Sequence, residues 1–339
     1  MVSIKVIAAE CGVSVATVSK ALNGHSDISE ATRQRVTETA RRLGYMPNSM
    51  ARALKTNRTY NIGVLFVDEA QSGLTHEYFA AVLDSFKKEA ERRGYDITFI
   101  NHHIGGKASS YLEHCRYRGV DGVVAACVQF GDPEVVELVQ SDLPSVTIDH
   151  VFNNRSAVLS DNAEGIRTLV EHLIRLGHRR IAYIHGERHS SVTEKRLASF
   201  YKTCADHGIE VPDAYVRPAE YRGVVACAGR TQELLALPTP PTAILYPDDF
   251  SSVGGIHVIQ EAGLSIPGDI SVGGYDGIPL AQVMTPQLTT YRQNTEMLGR
   301  QAAVLLIQQI ENPRITLPEQ QVVGGSLQSG ASTAAPLVV

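Results

Sequence analysis

Apolar residues recur along this chain with two different periods, and the change from one to the other divides it. Over the first sixty residues the spacing is helical. Ser3 to Glu10 puts Ile4, Ile7 and Ala8 on one side. A second run carries Val15, Ala16, Val18 and Leu22 behind Ser14, a good N-cap, and a third, Ser29 to Leu43, carries Ala31, Val36, Ala40 and Leu43. Breakers stand between and after them at Gly12, at Asn23, Gly24 and His25, and at Gly44. The stretch CGVSVATVSKALN, Cys11 to Asn23, therefore reads as helix, tight turn, helix, the arrangement in which the second helix lies in the DNA major groove. Residues facing outward there must be small enough to approach base edges or able to donate to them, and Val15, Ala16, Thr17, Ser19 and Lys20 meet that need. Three helices of this size close only a marginal core, so the head is expected to gain stability as part of a larger assembly.

Next comes YMPNSMARALKTNR, Tyr45 to Arg58. Pro47 ends the preceding element, and Asn48 or Ser49 can cap a short helix through Lys55. A free helix below ~12 residues is barely stable in water, so this is a linker that orders on binding. Arg52 and Lys55 flank Leu54, the design of a minor-groove wedge in which cations hold phosphates and an aliphatic side chain unstacks a base step. From Asn61 the period changes. Short apolar runs at 61–67, 95–100, 121–127 and 144–149, then at 180–185, 242–246, 270–275 and 288–293, have the character of strands buried in parallel sheets. Helical patterns lie between them, near 78–93, 109–118, 134–140, 163–176, 194–207, 229–237, 251–262 and 295–310. The expected fold is α/β: two doubly wound halves facing each other, with a small-ligand cleft at the strand C-termini. The Gly-, Ser- and Ala-rich end, Gly324 to Val339, is expected to fray.

Composition alters this picture in three respects. A length of 339 residues leaves room for two or three cores. No apolar run approaches the ~20 residues of a membrane span, and Lys5, Glu10, Ser14 and Lys20 interrupt any secretory leader, so a cytoplasmic protein is expected. Five cysteines are scattered without a CxxC pair or a nearby His at ligand spacing, which reads as reduced thiols with no metal and no cofactor. The net charge of −5 hides an asymmetry, because residues 1–60 hold nine Lys and Arg against four acids and are net +5, leaving the remainder at −10. A basic head on an acidic body favours phosphate contact at one end only.

These segments together resemble the LacI/GalR family of bacterial transcription regulators, from residue 3 to about 326. The stretches that carry the resemblance are IKVIAAECGVSVATVSKALNG, YMPNSMARALK, NIGVLF, VDGVV, LIRLGHRRIAYIHG, PTAILYPDDFSSVGG, GGYDGIPLA and LTTYRQNTEMLGR. The resemblance implies a homodimer on a pseudo-palindromic operator, with Leu54 as the intercalating leucine. Val15, Ala16 and Lys20 would read bases, while Thr17, Ser19 and Asn23 position the backbone. It also implies a head at 1–46, a hinge at 47–60, and a core like that of periplasmic sugar-binding proteins. One half of that core would be 61–160 with 292–323, the other 161–291 with 324–339. Carried over singly, the effector positions are Asp149, Arg196, Asp248 and Asp276, with Tyr246 and Gln293 beside them and Phe79 as a stacking ring. Asp249 reads as the cap of the following helix, and Asp161 and Asn162 as structural. The loop VDEAQSGLTHEYF departs from the family by placing His76-Glu77 where Asn-Pro is usual, which offers His76 as an additional hydrogen-bonding group.

Carboxylates and a guanidinium at strand ends suit vicinal hydroxyls, so the expected activity is that of a repressor controlled by a sugar. A purine or nucleoside effector is the alternative on the same scaffold, and would call for aromatic sandwiches. A solute-binding protein for uptake would lack the basic head. An enzyme is not expected, since no P-loop, metal cluster or nucleophile elbow appears. Leu54→Ala is expected to weaken operator binding by an order of magnitude or more in a gel-shift or anisotropy titration while effector affinity stays unchanged; unaltered operator binding would remove the wedge.

Overall fold

The computed structural model describes residues 2–22, 24–45, 58–68, 73–187 and 190–337. Asn23, Arg52, Leu54 and most of the expected hinge lie outside these. The chain forms two compact units, Met1–Thr59 and Tyr60–Val339.

In the first unit, α1 (Ile4–Cys11) ends at Gly12, whose left-handed φ of 62° lets its N–H return to the carbonyls of Ala8 and Ala9. Ser14 Oγ then accepts from Thr17 N at 3.0 Å and opens α2 (Val15–Leu22). Ser29 Oγ does the same for Thr32 N ahead of α3 (Glu30–Arg42). Ile7, Val18 and Val36 are fully buried at the centre, with Ala8, Cys11, Ala21 and Ala40 around them. Turning Val18 and Ala21 inward obliges the opposite face of α2 to point to solvent.

The second unit begins with β1 (Asn61–Phe66), α4 (Glu77–Arg92), β2 (Asp96–Ile100), the small ribbon β3 (His103–Ile104) and β4 (Lys107–Ala108), and α5 (Tyr111–Arg118). It continues through β5 (Gly122–Ala126), α6 (Pro133–Gln140), β6 (Ser145–Ile148), β7 (Ser156–Ser160) and α7 (Asn162–Arg175). Then follow β8 (Ile181–His185), α8 (Ser191–Asp206), β9 (Val216–Pro218), α9 (Val224–Leu235), β10 (Ala243–Leu245) and α10 (Asp249–Glu261). The last elements are β11 (Ser271–Asp276), α11 (Pro279–Val283), β12 (Thr289–Arg292), α12 (Thr295–Glu311), β13 (Gln320–Val323) and β14 (Ser326–Gln328).

Two six-stranded sheets result. The first has the order β13-β7-β6-β5-β1-β2 and is parallel throughout. The second has the order β14-β12-β11-β10-β8-β9 and is parallel except for β14. The chain passes between them after β7, after β12 and after β13. Strands β5, β6 and β8 are buried along their whole length, which is why they read as short runs of small and apolar residues. All these strands end on the same side of their sheets, and the register Phe66 opposite Ala126 sets the ends of β1 and β5 next to one another.

Besides the ribbon strands β3 and β4, four strands of the two large sheets escape the sequence pattern. β7 (SAVLS) is bracketed by serines, β13 and β14 are edge strands, and β9 has three residues with no fully buried position. The end of the chain corrects the expectation of fraying as far as residue 337. Ser332 is fully buried, donating through Oγ to Val272 O at 2.6 Å and accepting from Thr289 N at 2.8 Å. His178 adds a bond from its ring to Ala334 O at 2.9 Å. These bonds supply partners to groups that β11 and β12 would otherwise bury unpaired.

α12 crosses α4 on one face of the first sheet, with Phe86, Leu298, Ala302 and Leu306 buried between them. Gly299 makes the crossing possible, because a Cβ there would overlap the carbonyl oxygen of Val82 and the backbone N of Phe86. Gly299→Val is therefore expected to lower stability by about 2 kcal/mol or more, read as a decreased urea midpoint with an unchanged slope.

Candidate functional site

The second unit gathers chemistry where its parallel strands end, as open α/β sheets do. Asp149 follows β6 with a φ of 62°, and Asp276 ends β11 with a φ of 104°. Such left-handed values are uncommon for residues with a Cβ, and they aim both carboxylates out of the sheets. Asp149 Oδ1 accepts from Ser160 N at 2.7 Å at the end of the neighbouring β7. Gln293, one residue past β12, donates through Nε2 to Asp276 Oδ1 at 2.7 Å. Tyr78, in the first turn of α4, joins the two sides: its hydroxyl reaches Asp149 Oδ2 at 3.3 Å, Ser160 Oγ at 3.2 Å and Gln293 Oε1 at 3.4 Å.

Arg196 lies opposite, on α8. It is 4% exposed, and its guanidinium sits 3.5 Å over the centre of the Tyr275 ring. Nε donates to Asn162 Oδ1 at 2.7 Å and Nη1 to Pro247 O at 2.9 Å. Nη2 has no hydrogen-bond acceptor among the described residues, which leaves one arm of the fork for a ligand. The cation is held rigid by an amide, a carbonyl and a ring face rather than by a bidentate carboxylate.

Burial pushes the Asp276 carboxyl up to about 7, with Asp248 and Asp149 adding repulsion and Arg196 opposing it. Asp249 is also driven well above the usual carboxylate range, first by burial and then by Asp276. Its Oδ1 accepts from Thr290 Oγ1 at 2.6 Å and its Oδ2 from Ile278 N at 2.9 Å, so it braces the loop after β11. Asp249 is therefore not the helix cap expected from the sequence. Asp248 is the cap instead, accepting from Ser251 N at 2.8 Å and Ser251 Oγ at 2.7 Å, and its second oxygen also takes Arg222 N at 2.8 Å. Its carboxylate is largely occupied by the protein.

Tyr246 requires a correction as well. Its side chain is buried in the core beneath α9 and α10, bonded to Thr231 Oγ1 at 2.7 Å and packed over Gly255. At the end of a buried strand the side chain alternates faces, and the alternation turns Tyr246 away from the cleft. Asn162, read as structural, orients Arg196. Residues unforeseen in the sequence are Tyr78, Ser160, Tyr221, Arg222, Phe250 and Tyr275. Tyr221 bonds Thr193 at 2.8 Å and lies 5.7 Å from the Arg196 guanidinium, and Arg222 stacks at 4.2 Å over Phe250. On the first sheet's side, Phe79 meets Tyr78 and His76 edge-on, each at 4.9 Å. For the four aromatic ones the ring itself was the only signal, and aromatics are commonly core; nothing in the sequence marked Ser160 or Arg222.

In the first unit Val15, Ala16 and Lys20 are exposed along α2, with Thr17 and Ser19 partly so. Thr17 turns its hydroxyl back to Ser14 at 2.9 Å, and Lys20 pairs with Asp27 at 2.5 Å. An exposed pair of this kind contributes ~0–1 kcal/mol, so Lys20 is easily released to another anion. No helix among the described residues is long and apolar enough to cross a membrane.

Comparison with known proteins agrees with this geometry. Residues 3–48 match the bacterial regulatory proteins of the lacI family, and residues 170–333 match a periplasmic binding protein-like domain. The HTH-type transcriptional repressor PurR of Pectobacterium atrosepticum is 31% identical over 320 residues, covering 93% of this chain and 92% of that one. PurR of Escherichia coli O139:H28 is 30% identical over 319 residues with the same coverage. Among solved structures, the Lac repressor dimer bound to operator and the anti-inducer ONPF superposes with a TM-score of 0.81 at 26% identity, covering 98% of this chain and 99% of that one. The transcriptional regulator CelR in complex with cellobiose superposes with a TM-score of 0.72 at 26% identity, covering 98% and 100%. A helix-turn-helix head, two parallel sheets with a polar cleft, and relatives matched over nearly their full length make this chain a member of the LacI family, a DNA-binding transcriptional regulator and not an enzyme.

Proposed function

We propose that this regulator is a cytoplasmic repressor whose operator affinity is set by a small polyhydroxylated effector, a mono- or oligosaccharide, held between the strand ends of its two sheets. The observation that carries this reading is Arg196, fixed under the cleft with one arm unused and with Asp149 and Asp276 presented from opposite sheets. Vicinal hydroxyls donate to such carboxylates and accept from such a fork. His76, Phe79, Gln293 and the remaining oxygen capacity of Asp248 complete the proposed contact set, and Tyr246 drops out of it. CelR, a family member of similar fold, is known as a complex with cellobiose.

The proposed operator is pseudo-palindromic and read by a homodimer, the form in which the Lac repressor binds its operator. Val15 and Ala16 supply methyl contacts, and Lys20 donates to a base or phosphate after leaving Asp27. Thr17 and Ser19 serve the backbone. The proposed boundaries remain a head at 1–46, a hinge at 47–60, and two core halves, 61–160 with 292–323 and 161–291 with 324–339. Coupling is by linkage: the effector binds one arrangement of the halves more tightly, and that arrangement sets whether the hinge can order on DNA.

A purine effector is the second reading. It is favoured by Phe79, Tyr221 and the Arg222–Phe250 stack, which offer planar faces around the cleft, and by the PurR relatives at 30–31% identity. A thermal-shift screen of the full chain against sugars, oligosaccharides and purines separates the two, since a stabilising sugar supports the first and a purine with silent sugars supports the second.

Arg196→Ala is expected to abolish the effector's thermal shift and its effect on operator affinity while operator binding itself persists; loss of both would indicate a folding defect. Asp276 gives a pH dependence. Folding raises its pKa to about 7, so its contribution to stability is full in acid and is lost as pH rises through that value. Asp276→Asn is therefore expected to gain stability relative to the native chain between about pH 4 and pH 7, by about 1 kcal/mol per pH unit at most, read from denaturant midpoints of ligand-free protein. A hydroxyl donating to Asp276 favours its ionised form, so sugar affinity should rise from pH 6 to pH 8 and flatten in the variant.

A further inference from the structure

The rim of the first sheet holds a cluster of which the effector reading uses only His76. Asp68 stands two residues beyond β1, Cys127 one residue beyond β5, and His76 precedes α4. The side-by-side ends of β1 and β5 bring these distant residues together, so that a carboxylate oxygen, the thiol sulfur and an imidazole nitrogen all lie within 4.8 Å of one another. We propose that Asp68, His76 and Cys127 form a binding site for one divalent transition-metal cation of the zinc class, with a fourth position left for water or for an oxygen of a molecule in the cleft.

Two observations beyond proximity support the assignment. His76 is 8% exposed, and its Nδ1 is buried without a hydrogen-bond partner among the described residues. An orphaned ring nitrogen in such a place is costly unless something binds it. Meanwhile Cys127 directs its thiol at Asp68 Oδ1, 3.9 Å away. Ligand atoms in a tetrahedral zinc site are about 3.5 Å apart, given metal bonds of about 2.0–2.3 Å, so this pair closes with a shift of a few tenths of an ångström.

The donor set selects the metal. One thiolate, one imidazole and one carboxylate suit zinc or cobalt and disfavour magnesium and calcium, which need six or more oxygens. Binding replaces the S–H bond with an S–metal bond and sends one proton to solvent, with no change of oxidation state. Three protein ligands and an open position differ from the closed four-ligand pattern of a structural zinc. The cation would also lie in the field of Arg222 and Asp248, which face His76 from the second sheet. Loading the site would thus be felt on both sides of the cleft.

The test uses the full chain, reduced and metal-free, titrated with Co2+ in the absence of any effector. One Co2+ per chain is expected, with a thiolate-to-metal charge-transfer band in the near ultraviolet that Zn2+ abolishes by displacement. Cys127→Ser should remove that band, and His76→Ala should weaken Co2+ affinity at least tenfold. Asp68→Asn serves as a milder third variant should either lose its thermal transition. Failure to take up Co2+ at micromolar concentration, or a band that survives Cys127→Ser, would overturn the site. Because no sugar or purine is present, that failure would leave the effector reading standing.

Discussion

A single buried cation holds the ligand cleft together. Arg196 has almost no contact with solvent, and a guanidinium taken out of water destabilises the fold by several kcal/mol unless its surroundings replace the lost hydration. The replacement comes from four groups in three parts of the chain: Asn162 at the start of α7, the Pro247 carbonyl before α10, and the Tyr275 ring and Asp276 carboxylate at the end of β11. Pro247, Tyr275 and Asp276 sit where strands of the second sheet end, and Asn162 sits where β7 of the first sheet leads into α7. The cation therefore fixes the loops of that half relative to its sheet, and an effector that engages its unused arm acts on all of them at once.

Small residues make that arrangement possible. A Cβ on Gly165 would occupy the position of the Tyr275 hydroxyl, and one on Gly186 would occupy the Tyr221 ring. Both aromatic rings reach Arg196 only because the backbone of α7 and of the loop after β8 leaves room. The acids show the same dependence on neighbours. Asp248 and Asp249 are adjacent in sequence and both buried, yet one is consumed by capping α10 and the other by bracing Ile278 and Thr290. The Asp276 carboxyl, whose one side-chain hydrogen bond among the described residues comes from Gln293 Nε2, keeps capacity for a ligand, and burial pushes it up to about 7.

The proposed metal site and the effector cleft share a wall without sharing a mechanism. His76 carries both proposals, because it stands between Phe79, which lines the ligand side, and Asp68 with Cys127 at the rim. A cation there would add charge beside Arg222 and Asp248 of the second half, a link between the halves besides Tyr78.

What the sequence determined by itself was periodicity and order. Helical spacing before residue 60 and buried strand runs after it were enough to place the three-helix head, the two parallel sheets and the exposed side of α2, because burial of one face leaves a local record at every third or second residue. The roles of Asp149, Arg196, Asp276 and Gln293 were legible only through the resemblance to the family, which periodicity alone does not supply. Tertiary structure decided what no local pattern records: that Tyr246 faces the core, that Asp248 and not Asp249 caps α10, and that the chain's last strand and Ser332 are held in the second sheet. It also decided that Tyr78, and not only the charged residues, joins the two sides, and that Asp68, His76 and Cys127 meet. These outcomes depend on which strand ends are neighbours across the sheet, and that adjacency arises from the order of strands in space, where sequence spacing carries no distance.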